Sequence, residues 1–292
     1  MPSPAAAAAA SLLLLLTAGV PAAGAPPAPR GCLEQLVGRA GATAPVTVLG
    51  CDARGRGRAV VALGDLGTAE RLVVLVPGVG TDLRTLVAPR DPRRPQGGPL
   101  DWAGTLVAHA PARTAVVLWV DWTTPRGVGP GAATGALARA AVPALVEAVE
   151  DLQGRAGARP RTTVVGHSYG AVVVATAAAA LDADALVLLA SPGARASRVD
   201  DLGTTADVWA ARSPSDWVRH VPPWRLGDVG HGLDPTDAAF GARVLPADDV
   251  VGHDGYLVPG TGTFAALLDV VATGPVAGPV TPEPADDVLV LR

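Results

Sequence analysis

Residues 162–174 read TTVVGHSYGAVVV, in which two apolar runs flank a serine that has a glycine two positions away on either side. The first run is typical of a buried strand, and the second, rich in small residues, is typical of a helix. Glycines at these positions remove side chains that would collide with neighbouring backbone where a strand turns sharply into a helix. A Gly-x-Ser-x-Gly turn of this kind presents the serine hydroxyl at the carboxyl edge of a sheet. Ser168 is therefore the candidate nucleophile, and a serine that merely caps the helix is the alternative.

The rest of the chain predicts a sheet around that turn, because strand-like runs alternate with helical patterns. The run Arg71–Val76 is apolar after its first residue, which suits a strand covered by helices on both faces. Helices are predicted over 132–152 and 169–181, with a closing helix after His253. The other predicted strands are 46–51, 58–63, 114–121, 161–165, 185–189, 207–211 and 242–245. The predicted fold class is α/β, a mostly parallel sheet flanked by helices.

Pro and Gly content divides the rest of the chain into segments. Residues 88–98, APRDPRRPQGG, have no apolar period, and we expect a surface loop there. Between the strands where large caps are often inserted lies only the short segment 191–206, so no large cap domain is expected. The expected α/β domain covers 46–274, and residues 275–292 form a Pro-rich tail.

The N-terminal residues 1–25 are typical of a secretory signal peptide, because an apolar stretch is followed by small residues. No Lys or Arg precedes the apolar stretch, so retention as an uncleaved anchor is the alternative. No later run reaches the roughly 20 continuous apolar residues that a membrane span requires. We therefore expect a secreted or envelope-associated protein with no stable membrane span after signal removal.

The chain has two cysteines, Cys32 and Cys51. In an exported protein such a pair is expected to form a disulfide, because the compartment is oxidising. The bond would attach the N-terminal segment 26–45 to the edge of the sheet and would contribute on the order of 3 kcal/mol. Lipid attachment at Cys32 is the rival interpretation, but the residues before it, Pro29 to Gly31, carry a charge and lie far beyond the apolar stretch.

The composition narrows the class of partner. The formal net charge is −4, whereas a nucleic-acid surface requires clustered basic residues. Nucleic acid is therefore not an expected partner. At 292 residues and 49% hydrophobic content, the chain is long and apolar enough to bury a sizeable core.

A serine nucleophile at such a turn needs a base and an acid, which follow it along the chain in the order acid, then histidine. Three histidines follow Ser168. His253 lies just beyond the last predicted strand, where a loop would return it to the carboxyl edge of the sheet, and it is the candidate base. His220 and His231 lie in a segment containing Arg and Pro, and both are expected to be ordinary loop residues.

The candidate acid is Asp216, because it lies in the loop that follows the predicted strand 207–211. Other aspartates occur on either side of that loop. Asp200 and Asp201 follow the preceding strand after a longer stretch and are the second choice, whereas Asp248 and Asp249 are too near the candidate base. A solvated loop carboxylate or a turn cap is the ordinary alternative for any of them.

An oxyanion hole for this chemistry uses two backbone amides, one from the residue after the serine and one from the loop after the third strand. The first is Tyr169. The second lies in the turn Pro77-Gly78-Val79-Gly80-Thr81, where the Val79 amide is the first choice and the Gly80 amide is the second. A simple strand-ending turn is the alternative interpretation of these glycines.

With VPGVGTD, GHSYG, ASPG, FGAR and HDGY in this order, the chain resembles the alpha/beta hydrolases, and within them a bacterial group. The similarity extends over about residues 58–274. It implies Ser168 as nucleophile, Asp216 as acid and His253 as base. Many esterases of this superfamily have a His-Gly pair before the oxyanion residue, whereas this chain has Pro77-Gly78.

These observations predict a secreted serine hydrolase, most simply a carboxylic ester hydrolase that forms an acyl-enzyme on Ser168 and uses neither a metal nor an organic cofactor. The expected partner is a small-molecule or lipid-like acyl substrate. A noncatalytic envelope binding protein on the same scaffold is the main alternative. An acyltransferase or a peptidase is the second alternative, because the same triad can serve ester hydrolysis, acyl transfer and peptide hydrolysis. Trp209, Trp217 and Trp224 surround the acid loop and would either line an acyl pocket or pack in the core.

Overall fold

The computed structural model describes residues 32, 45–88 and 97–273. The predicted signal peptide, most of the segment 26–45, most of the loop 88–98 and the tail 275–292 lie outside the described residues. The strands are β1 (Val46–Asp52), β2 (Arg58–Leu63), β3 (Arg71–Val76), β4 (Thr114–Val120), β5 (Arg161–His167), β6 (Ala185–Leu189), β7 (Asp207–Ala211) and β8 (Arg243–Val244). The α-helices are α1 (Pro99–His109), α2 (Pro130–Ala133), α3 (Ala136–Arg155), α4 (Tyr169–Ala177) and α5 (Gly262–Thr273).

The eight strands form one sheet in the order β1-β2-β4-β3-β5-β6-β7-β8. Strands β1 and β2 form an antiparallel hairpin, and β2 also pairs antiparallel with β4. From β4 to β8 every neighbouring pair is parallel. The α/β fold class, with a mostly parallel sheet flanked by helices, is confirmed.

Alternate residues of the central strands enter two separate cores, as the two-residue period of a strand requires. In β3, Val73 and Leu75 face one core, whereas Leu72, Val74 and Val76 face the other. Helices α1 and α5 cover the first core, and helices α3 and α4 cover the second. Burial on both faces explains why the sequence of β3 is apolar almost throughout.

Helix α1 has no counterpart among the sequence predictions, although its first turn carries two helix-start signals. Pro99 stands at the first position, and the Asp101 carboxylate accepts a hydrogen bond from the Gly98 amide at 3.0 Å. The helix predicted over 132–152 is also divided, because the chain breaks between α2 and α3. At that break Gly135 lies against the guanidinium of Arg195, where a Cβ would come within 2.3 Å.

Cys32 and Cys51 are joined by a disulfide, with their Cα atoms 6.4 Å apart. Cys51 lies in β1, the edge strand. The bond therefore attaches Cys32 to the edge of the sheet, as the sequence predicts. Within the ranges that the structure describes, no helix has the length and apolar character needed to cross a membrane.

The turn between β5 and α4 is packed so closely that three glycines are required around it. A Cβ on Gly166 would lie 2.5 Å from the Ala171 Cα, and one on Gly170 would lie 2.0 Å from the Val76 carbonyl oxygen. A Cβ on Gly78, from the turn after β3, would lie 2.8 Å from both the Ser168 Cβ and the Tyr169 amide nitrogen. The turn is therefore held between its own helix and the end of β3.

The substitution Gly170→Ala tests this close packing. We expect it to lower the free energy of unfolding by about 1–3 kcal/mol, because the Val76 backbone cannot move without disturbing the central strand β3. The control is Gly104→Ala in helix α1, where the nearest heavy atom to a new Cβ is 3.8 Å away. That change is expected to be neutral or to stabilise by up to about 1 kcal/mol. Equal midpoints for the two variants in urea unfolding would contradict the packing argument.

Candidate active site

Ser168 has a strained backbone at the point where β5 ends and α4 begins. Its φ of 57° and ψ of −127° lie in a region that residues with a side chain rarely adopt. The Ser168 amide donates to the Leu189 carbonyl of β6 at 2.9 Å, which ties the strained residue to the sheet. The side chain is 7% exposed, so it is within reach of a molecule that enters the adjoining cavity.

The structure brings Ser168, His253 and Asp216 into one hydrogen-bonded chain. The Ser168 Oγ lies 2.9 Å from the His253 Nε2, and the His253 Nδ1 lies 2.9 and 3.0 Å from the two Asp216 carboxylate oxygens. A carboxylate only accepts hydrogen bonds, so the Nδ1 of the neutral imidazole carries the proton. The His253 Nε2 is then the acceptor for the serine hydroxyl, which is the tautomer that a general base requires.

The Asp216 carboxylate is fully buried, yet it stays ionised. Burial alone would raise the pKa of Asp216, but hydrogen bonds from His253 and from the Val218 amide outweigh that effect and lower it. The Val218 amide donates to Oδ1 at 2.9 Å. A negative charge is therefore held beside the His253 ring.

Tyr256 completes the surroundings of the acid, a role that the sequence predictions do not include. Its hydroxyl donates to the Asp216 Oδ2 at 2.7 Å and accepts from the Ser213 amide at 2.8 Å. The side chain is fully buried. The only sequence signal was its place three residues after His253 in the HDGY stretch.

Two serines of the acid loop bind the loop that carries the base. The Ser213 and Ser215 hydroxyls donate to the Val250 carbonyl at 2.6 and 2.9 Å, and the Ser215 Oγ accepts from the Gly252 amide at 2.8 Å. The acid loop and the base loop are thus joined at several points. This fixes the position of His253 relative to Asp216 independently of their own hydrogen bond.

His167 contacts His253 from the other side. Its Nε2 donates to the backbone carbonyl of His253 at 2.8 Å. The side chain is 4% exposed, and burial together with the nearby His253 lowers the pKa of His167 to about 4. His167 is therefore neutral at ordinary pH and acts as a fixed donor beside the base.

The two amides predicted to form the oxyanion hole, those of Val79 and Tyr169, belong to two chain segments that lie against each other beside Ser168. The close approach of Gly78 to the Tyr169 amide brings the turn after β3 against the start of α4. Among the described residues, neither the Val79 amide nor the Tyr169 amide has an acceptor. The second choice, the Gly80 amide, is occupied, because it donates to the Pro125 carbonyl at 2.8 Å.

The alternative acids form no hydrogen bond with His253, the candidate base. The Asp201 carboxylate accepts from the amides of Ser197 and Arg198 at 3.1 and 3.2 Å, as a turn cap. The Asp249 carboxylate accepts from the Gly262 amide at the start of α5 at 2.8 Å. Among the aspartates of the described ranges, Asp216 is the one that contacts His253.

A cavity of about 300 Å³ opens next to Ser168. Its walls come from the turn after β3, from the segment before and within α2, and from the connection 212–242 between β7 and β8. The lining is almost entirely apolar and includes Val79, Trp217, Val218, Val221, Trp224 and His231. An apolar cavity with a few polar groups at one end is typical of a small-molecule site.

His231 lies in a loop, as expected, but it is buried and contacts distant parts of the chain. His231 is 2% exposed, and its Nε2 donates to the Ala132 carbonyl at 2.6 Å, which fixes α2 against the β7–β8 connection. Burial lowers its pKa, so the ring is neutral. Its ring also packs edge-on against Tyr169, with the centroids 5.5 Å apart. His231 thus forms a wall of the cavity, whereas His220 is exposed as expected.

The tryptophans near the acid loop are divided between the two expected roles. Trp217 and Trp224 line the cavity, and the Trp217 ring lies 5.0 Å from the His253 ring. Trp209 lies in β7 beneath the Arg243 guanidinium, 5.1 Å from it.

The described ranges contain no group of three His, Cys, Asp or Glu side chains arranged to hold a metal ion.

A family model described as alpha/beta hydrolase matches residues 52–226, which include the turn at Ser168 and the acid loop. The chain belongs to the alpha/beta hydrolase family. Two proteins of Mycobacterium tuberculosis, uncharacterized protein MT2140 of strain CDC 1551 / Oshkosh and uncharacterized protein Rv2079 of strain ATCC 25618 / H37Rv, are each 36% identical to this chain over 256 residues. The alignments cover 75% of this chain and 37% of each relative, so the chain spans well under half the length of those proteins.

Solved structures with a similar chain path include an esterase from Pyrobaculum calidifontis, with a TM-score of 0.48 and 13% identity over 83% of this chain and 88% of that one. Another is XC6422 from Xanthomonas campestris, described as an α/β serine hydrolase without a lid. Its TM-score is 0.43, with 17% identity over 77% of this chain and 91% of that one.

The buried His167 predicts a specific dependence of stability on pH. The unfolded chain binds a proton at this residue below about pH 6.5, whereas the folded protein does so only below about pH 4. Stability should therefore fall as the pH is lowered through that window, by about 1.4 kcal/mol per pH unit from this residue. His167→Gln, which keeps a donor for the His253 carbonyl, should remove that part of the slope in urea unfolding at several pH values. His109→Gln at an exposed site is the control, and a slope unchanged in His167→Gln would contradict the assignment.

Proposed function

We propose that the protein is a serine hydrolase that cleaves carboxylic esters, with Ser168 as nucleophile, His253 as general base and Asp216 as the acid that orients the base. The observation that carries this proposal is the continuous hydrogen-bonded chain from the buried carboxylate to the serine hydroxyl at the end of an apolar cavity. Such a chain activates a serine that is otherwise a weak nucleophile.

The reaction begins when the Ser168 Oγ attacks the ester carbonyl carbon and its proton passes to the His253 Nε2. The carbonyl oxygen becomes an oxyanion, which the amides of Val79 and Tyr169 stabilise as donors. Collapse of this intermediate breaks the bond to the alcohol oxygen, which takes the proton from the His253 Nε2. A water molecule then attacks the acyl-serine, gives its proton to the same nitrogen and releases the acid, and the proton returns to the Ser168 Oγ.

The Asp216 charge stabilises the imidazolium that forms in each half of the reaction. Its lowered pKa keeps the carboxylate ionised at neutral pH, and hydrogen bonds from the Tyr256 hydroxyl and the Val218 amide hold it beside His253. Neither step requires a metal or an organic cofactor, since the charges that develop are met by backbone amides and by this pair.

The cavity supports an acyl group of small-molecule or lipid-like character as the substrate. Its lining offers apolar contacts on most sides and one neutral imidazole, that of His231. An acyl chain placed there would bring its carbonyl carbon to Ser168.

We further propose that the chain is exported, with residues 1–25 as a signal peptide, 46–274 as the hydrolase domain and 275–292 as a tail. The disulfide between Cys32 and Cys51 supports export, because such bonds persist in oxidising compartments.

Substitution of the histidines tests the proposed roles. His253→Ala and Ser168→Ala should each lower kcat/KM on p-nitrophenyl acyl esters by at least about 10³-fold, because each removes a member of a unit that acts together. His220→Ala is the control, because His220 lies in the β7–β8 connection and is exposed. Its kcat/KM should stay within about tenfold of that of the unchanged chain. Near-full activity of His253→Ala would remove it as the base.

The role of Tyr256 is tested by Tyr256→Phe, which removes one hydroxyl from the acid without changing the size of the ring. The loss of a hydrogen bond to a charged group should lower kcat by about tenfold or more. Since Tyr256 does not line the cavity, KM should change little. A raised KM with an unchanged kcat would mean that Tyr256 affects substrate binding instead.

A further inference from the structure

The exposed large apolar side chains of the described residues are concentrated in one place. Seven such side chains are exposed; four of them line the cavity, and a fifth, Leu226, is hydrogen-bonded through its backbone to one of those four, Val229. These five, which we call the rim, are Val128, Trp217, Trp224, Leu226 and Val229, with exposed fractions of 74%, 45%, 53%, 79% and 47%. Single exposed apolar residues are ordinary, but a cluster around a cavity mouth indicates a surface that meets an apolar partner.

The rim is held in position by ordered backbone and by ion pairs. Leu226 and Val229 exchange backbone hydrogen bonds of 2.9 and 3.0 Å in a tight turn. Asp228 at the tip of that turn forms ion pairs with Arg139 at 2.6 Å and with Arg195 at 2.8 Å. The hydrogen bond from Arg139, together with both cations, lowers the pKa of Asp228 to about 2. The apolar side chains are thus presented outward by a braced loop.

Unpaired positive charge lies on the same loops as the rim. Arg126, Arg219 and Arg225 are exposed, and none of them forms an ion pair with a carboxylate in the part of the chain that the structure describes. Two of the nearby acids are engaged elsewhere, since Asp228 pairs with Arg139 and Arg195, and Asp234 pairs with Arg212. Apolar side chains interspersed with arginines that have no carboxylate partner have the character of a membrane-surface element.

We propose that the rim docks onto an anionic lipid surface. Trp217, Trp224 and Leu226 would enter the headgroup region, where tryptophan is favoured because its ring is largely apolar and its N–H is polar. These three arginines would contact lipid phosphates, because the negative surface potential of an anionic lipid layer attracts cations. The cavity mouth would then face the lipid, and an acyl chain could move from the lipid layer to Ser168 without crossing water.

A lipid surface fits these features better than a protein partner does. A protein seated on the same side chains would close the mouth of the cavity, whereas a lipid layer supplies molecules that fit an apolar cavity. Docking in this way does not depend on the chemistry at Ser168. It is therefore testable in the Ser168→Ala protein, where failure of docking and failure of the proposed hydrolysis are separate results.

The experiment measures co-sedimentation of the full chain with vesicles of phosphatidylcholine alone and of equal parts phosphatidylcholine and phosphatidylglycerol. Trp224→Ser with Leu226→Ser removes apolar rim contacts, and Val244→Ser is its control, because Val244 is 57% exposed but lies on β8. Arg126→Gln with Arg225→Gln removes two positive charges that have no carboxylate partner. Arg113→Gln with Arg155→Gln is its control, since these exposed arginines flank the amino edge of the sheet.

We expect the apolar double variant to weaken binding to the mixed vesicles at least about tenfold, while its control binds as the unchanged chain does. The arginine double variant should weaken binding to the mixed vesicles by about tenfold and leave binding to phosphatidylcholine unchanged. Vesicle binding equal in all variants would overturn the proposal. So would rim variants that convert a dimer to a monomer without affecting vesicle binding, since the rim would then be a contact between two copies of the chain.

Discussion

The left-handed backbone of Ser168 is the constraint on which the site depends. A residue with a side chain at this φ is costly, and the turn persists because its surroundings allow no other course for the chain. The Ser168 amide is bound to β6, while the backbones of β3 and α4 approach so closely that only glycine fits at positions 78, 166 and 170. The serine hydroxyl is consequently directed out of the sheet edge, towards the base and the cavity.

The other members of the site reach this point because parallel strands end at one edge. Asp216 follows β7 and His253 follows β8, so both loops emerge at the same edge of the sheet as the end of β5. Hydrogen bonds of Ser213 and Ser215 to the base loop then fix the two loops to each other. The buried carboxylate keeps its charge because several hydrogen-bond donors compensate for the loss of water. The negative charge is therefore already present when a positive charge develops on His253.

The parallel sheet was predictable, because buried strands are apolar throughout. The placement of Ser168, Asp216 and His253 at one edge was also predictable, because loops after successive parallel strands meet there. The β7–β8 connection was not. It has no apolar period, and its course depends on contacts distant in sequence, such as those of Arg195 with Asp228 and of His231 with the Ala132 carbonyl. For the same reason the cavity wall and the burial of His231 could not be inferred, and the role of Tyr256 depends on a partner forty residues away.

The central claim is that Ser168 is an activated nucleophile, and covalent labelling with a fluorophosphonate tests it most directly. The intact mass of the labelled protein should increase by one adduct, and peptide mapping should locate that adduct on Ser168. Labelling should be absent in the Ser168→Ala protein and greatly slowed when His253 is replaced. Equal labelling of the unchanged chain and of Ser168→Ala, or an adduct on another residue, would contradict the account.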